Sequence, residues 1–68
     1  MSRASKAIDR ERMIRSFVEA FRRELDRDIG FDIHARIERE KRPVVRGAML
    51  AAEREVYRDL KRKIERGR

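Results

Sequence analysis

EKRPVVRG, residues 40–47, holds the only proline of the chain, Pro43, and one of its three glycines. Helical periodicity surrounds it on both sides, so its reading decides the fold. In one unbroken helix from Asp32 to Arg66, Ile33, Ile37 and Val44 share a face. Val45, Met49, Ala52, Val56 and Leu60 share another, rotated from the first by roughly 100°. A straight helix cannot point both sets at one core. Proline suits the first turn of a helix and pushes the preceding residue, here Arg42, out of helical geometry. The stretch therefore predicts a break, with a third helix restarting in a new phase, although neither Lys41 nor Arg42 is a good N-cap.

Downstream of the break, GAMLAAEREVYRDLKRKIE is strong helix-forming sequence. Helical spacing pairs Asp59 with Lys63, and the last turns carry Lys61, Arg62, Lys63 and Arg66 against the negative end of the macrodipole. Upstream, Asp32 can cap a short helix through IHARIEREK, with Phe31 and Ile33 packing the bend. Before that, Ala7, Ile14, Phe17, Val18, Phe21 and Leu25 fall in one apolar stripe, while Arg12, Arg15, Glu19, Arg22, Arg23 and Asp26 face away. Ser2 or Ser5 can cap this first helix, with Asp9 near its first turn, and Gly30 reads as its left-handed terminator.

The expected fold is all-α: an antiparallel helical hairpin with a short corner helix. The helices run over about 5–29, 32–41 and 43–66. Residues 1–68 are expected to make one small helical domain with frayed termini. A chain this short buries only about 60% of its unfolded surface. It has no Cys for a disulfide or a thiolate metal site, and only one His. Self-association is the economical remedy, so a homodimer forming a helical bundle is expected.

Charged residues are 49% of the chain, the formal net charge is +7, and sixteen of the twenty cations are Arg. Such a balance favours acidic or polyanionic partners. In an antiparallel hairpin the two chain ends meet. Arg3, Lys6 and Arg10 would then join Lys61, Arg62, Lys63 and Arg66 in a phosphate-binding patch. A secondary basic cluster is expected from Arg39, Arg42 and Arg46 near the corner, with Arg36 and Lys41 beside it. The leading expectation is a small nucleic-acid-binding or regulatory accessory protein. A true helix-turn-helix fits less well: the third helix is long, its first turn offers only Arg46 as a base reader, and the chain has no Asn or Gln for adenine. The alternative is a non-catalytic adaptor or inhibitor that docks on a larger, acidic protein. Its contact residues would be Met49, Leu50 and Tyr57 on the apolar edge of the last helix.

No catalytic set is recognisable, and the chain has little room for a substrate pocket, so neither an enzyme nor a cofactor is expected. His34 and Glu38, four apart with Asp32 near, read as a surface pair rather than a metal or base site. No apolar run approaches the roughly 20 residues of a membrane span. The opening MSRASKAIDRER lacks the apolar stretch of a secretory signal, so a cytoplasmic location without membrane contact is expected.

Overall fold

A computed structural model of the chain describes residues 3–67, with side chains from Ile8 onward. It contains three helices: α1, Arg3–Arg27; α2, Ile33–Glu38; and α3, Pro43–Arg66. The helices pack into a slab with principal extents of 47 × 26 × 15 Å.

Helix α1 begins at Arg3, so Ser5 lies inside it and cannot cap it, and Asp9 lies beyond the first turn. Ser2 is outside the described residues. The helix stops at Arg27, earlier than expected, and by a different device. Asp28 N–H still donates to Glu24 O at 2.8 Å. The Asp28 side chain then takes the Gly30 N–H at 3.0 Å, and Phe31 N–H donates to Asp28 O at 3.0 Å. No glycine among the described residues has positive φ, so Gly30 is not a left-handed terminator. A carboxylate satisfies the turn instead. A Cβ at Gly30 would sit 3.3 Å from Asp28 Oδ1, which is why a small residue suits this position.

Asp32 caps α2 as expected, accepting the Ala35 N–H at 3.1 Å. The helix ends at Glu38 rather than near 41. Glu40 closes the turn: its N–H donates to Ile37 O at 3.0 Å, and its Oε1 accepts the Arg42 N–H at 3.1 Å. Arg42 is extended, with φ −81° and ψ 116°, and Pro43 opens α3 without a side-chain cap. The chain therefore breaks at Pro43, as the phase argument requires.

The hairpin itself is a correction. Arg22 of α1 pairs with Asp59 of α3. A groove at one end is lined by Leu25 and Asp26 together with Arg62, Lys63 and Arg66. A second groove joins Glu11, Ile14 and Arg15 to Ala51, Arg54, Glu55 and Arg58. Residues 11–15 of α1 thus face the middle of α3 and residues 22–26 face its later half, so position along both helices rises together. The two long helices run side by side in the same direction, not antiparallel. The reason lies in residues 28–42. Phe31 packs back on Phe21, with ring centroids 6.4 Å apart, so the chain has already reversed before α2 begins. Pro43 supplies a second reversal, and two reversals restore the original direction.

Val18, Phe21, Ile33, Ile37, Met49, Ala52 and Val56 form the core, with Ile14, Phe17, Leu25, Phe31 and Val45 packed around it. Ile33, Ile37, Met49 and Val56 are each under 2% exposed. Full burial of such a side chain contributes about 1.5–3 kcal/mol. Every buried residue among those described is apolar. The α1 stripe therefore points where its periodicity says, although Ala7 lies outside the described side chains.

Candidate functional site

The parallel arrangement redistributes the expected basic patch. Lys61, Arg62, Lys63 and Arg66 lie exposed on the last turns of α3, beside the C-terminal end of α1. Arg10 is exposed on the early half of α1. Sixteen residues of helix, or about 24 Å, separate it from Asp26, which lines the groove with Arg62. The side chains of Arg3 and Lys6 lie outside those described, but their helical turn belongs to the far end of α1. The structure therefore does not bring the N-terminal and C-terminal cations together.

What it assembles instead is a mixed groove. Arg22, Arg62, Lys63 and Arg66 surround Asp26, Asp59, Leu25 and Leu60. The Arg22 guanidinium, expected to face away, meets Asp59 across the helix pair. Asp59 thus finds a partner on α1 rather than Lys63 one turn on. Among the described residues, no carboxylate lies in ion-pair range of Lys61, Arg62, Lys63 or Arg66.

The corner cations separate in role. Arg42 is committed locally: its Nε donates to Glu40 Oε1 at 2.8 Å. Glu40 in turn is held below its ordinary pKa, first by that side-chain hydrogen bond and then by the Arg42 backbone N–H. Arg42 is correspondingly raised. Arg39 caps the end of α2 with its backbone, and Arg46 sits exposed in the first turn of α3. His34 Nε2 lies 3.0 Å from Glu38 Oε1, both exposed, as an i, i+4 surface pair.

Of the three expected contact residues, Met49 is a correction. It is fully buried against α1 and α2 and belongs to the core. Its angle on α3 lies only about 60° from that of Ala52, inside the arc that α2 covers. Leu50 is 38% exposed and Tyr57 49% exposed. Two further residues join them: Leu60 at 37% and Ile64 at 63%. Leu60 reads as core from periodicity alone. It emerges because α2 has six residues, about 9 Å of helix, whereas α3 has twenty-four, about 36 Å. The short helix covers the early part of α3 and leaves the later flank open. Tyr57, Leu60 and Ile64 line a shallow depression there, bordered by Lys61 and Glu65.

The result is a row of exposed apolar side chains along one flank of α3: Tyr57, Leu60 and Ile64 together, with Leu50 two turns earlier beyond Glu53. Among the described residues, no helix is long and apolar enough to cross a membrane. Comparison with protein-family models, with curated proteins and with solved structures finds no match for the chain.

Proposed function

We propose that the protein is a non-catalytic binding module that docks on a larger protein through the exposed apolar stripe of α3. The observation that carries this reading is the position of four large apolar side chains on one flank. Tyr57, Leu60 and Ile64 share one depression edged by Lys61 and Glu65, and exposed apolar surface grouped in this way marks an interaction site more often than a scattered apolar residue does. Tyr57 suits such a role, since its ring buries area while its hydroxyl stays wet. The stripe lies on a helix anchored in the core by Ala48, Met49, Ala52 and Val56, so part of the ordering cost of binding is met by the fold.

A double substitution on the stripe, Tyr57→Asp with Ile64→Asp, tests this. Both residues are exposed, so helicity is retained. Affinity capture from nuclease-treated host extract should then lose a partner that the unmodified chain retains. A partner retained equally by both proteins refutes the reading.

A second reading keeps nucleic acid as the partner, supported by the exposed run Lys61–Lys63 with Arg66. These cations suit phosphate contacts, which weaken steeply with salt. The parallel helices deprive that patch of Arg10 and dilute it with Asp26 and Asp59, so it takes second place. Retention on duplex DNA across a salt series, abolished by reversing Lys61, Arg62 and Lys63 to Glu, would restore it to first.

A further inference from the structure

The stripe has a spacing and a border that identify what covers it. Leu50, Tyr57 and Ile64 recur every seven residues, and Leu60 falls three beyond Tyr57. That is the pattern of a coiled-coil seam, which accepts the side chains of one facing helix. From Leu50 to Ile64 the seam extends about 21 Å, the length of a partner helix of four turns. Glu53 is the one polar residue in the seam, between Leu50 and Tyr57.

The border decides the identity of that helix. Arg54 and Lys61 occupy the flanking positions on one side of the seam, and Lys63 the corresponding position on the other; all three are exposed, and they outnumber Glu65, the acid that borders the depression beside Lys61. Flanking charges set partner choice in helix pairs. An antiparallel second copy would set Arg54 against Lys61, and a parallel copy would set Glu53 against its own equivalent within the seam. Like charges across an interface oppose association. An acidic helix would meet them with opposite charge, and the chain's net charge of +7 would speed the encounter.

We infer that the stripe receives an acidic amphipathic helix of another protein, with apolar residues every third and fourth position and carboxylates flanking them. This rests on the reading of the stripe as a docking surface and adds the partner's chemistry. It replaces the homodimer expected from composition with a heteromeric pairing.

The test uses the full chain and three labelled synthetic peptides of about 21 residues, three heptads each. Two of the peptides carry Leu at the seam positions, and the third, with the composition of the Glu peptide in scrambled order, should not bind. One peptide carries Glu at the flanking positions and another Lys. Binding is read by fluorescence anisotropy, and the native mass of the chain alone by sedimentation. The Glu peptide should bind at least about tenfold tighter than the Lys peptide, with the gap narrowing as salt rises. Leu60→Asp should abolish binding, and R54E/K61E/K63E should reverse the preference. Equal binding of both ordered peptides, lost in Leu60→Asp, overturns the acidic partner and leaves the docking surface standing. Binding unaffected by Leu60→Asp overturns both. A stable dimer that Leu60→Asp dissociates overturns the inference in favour of a second copy. Circular dichroism on each variant confirms that these exposed substitutions leave the helices intact.

Discussion

Replacing Ile37 by Ala tests whether α2 is the clamp that sets the path of the chain. Ile37 is 1% exposed and packs in the same core as Val18, Phe21 and Met49. A six-residue helix does not persist alone in water, so α2 exists because Ile33 and Ile37 are buried and Asp32 caps it. Truncating a fully buried Ile removes its transfer energy and leaves a cavity, at a cost of about 2–5 kcal/mol. A chain of 68 residues has a total stability of roughly 3–10 kcal/mol. The loss is therefore a large share of the whole. With a urea m-value of about 1 kcal/mol/M for a small domain, the midpoint should fall by about 2 M or more. Urea unfolding followed by circular dichroism reads this directly. Arg36→Ala on the same helix, at an exposed position, is the control and should stay within about 0.5 kcal/mol. An Ile37→Ala midpoint indistinguishable from that control would refute the placement of α2 in the core.

Four other outcomes are expected. Since the chain has no Cys of its own, spin labels can be placed at chosen pairs. Labels at residues 26 and 62 should be close, while labels at residues 10 and 62 should be farther apart by a large part of the ~24 Å that separates residues 10 and 26 along α1. The reverse order in the dipolar spectra would restore the antiparallel hairpin. A double-mutant cycle on Arg22 and Asp59 should give a coupling of about 1 kcal/mol or less, because both side chains remain partly exposed. A larger coupling would make the pair a stabiliser rather than a marker of register. Gly47→Ala should raise stability by about 0.5–1 kcal/mol: the position is mid-helix and an added Cβ meets nothing within 4 Å. Calorimetry should show a higher Tm, and a lower one would mean the site is crowded. Finally, the depressed Glu40 pKa implies stabilisation that is present above the unfolded-state pKa and lost as pH falls through the folded one. The α2–α3 corner should therefore loosen only under acid conditions, and the Glu40 midpoint, followed by NMR, should rise in Arg42→Ala. An unmoved midpoint would remove Arg42 as the cause.

Local features were legible where the chemistry is local. The Asp32 cap depends on one side chain three residues from its donor, and the Pro43 break on a ring that fixes its own φ. The α1 stripe, with Val18 and Phe21 innermost, follows from 3.6-residue periodicity. The termination of α1 was not legible in the same way, because Gly30 invites a left-handed cap while Asp28 offers an equally local alternative. Leu60, read as core with Met49, emerges at the surface, while Met49, also read as a contact residue, stays wholly in the core. A helical wheel tells which residues share a face, but how far along α3 that face is covered depends on the length of α2.

The sequence by itself determines three helices, their breaks and their apolar faces, because these follow from side chains acting on backbone within a turn or two. Only the tertiary structure decides that α1 and α3 run in the same direction. That choice depends on whether residues 28–42 reverse the chain once or twice, which is settled by Phe31 returning to Phe21 and by Ile33 and Ile37 burying against α3. The cations obey the same division. Their number is written in the composition, but which of them are neighbours is a matter of helix direction, and a single added reversal carries Arg10 and Arg62 to different ends of the molecule.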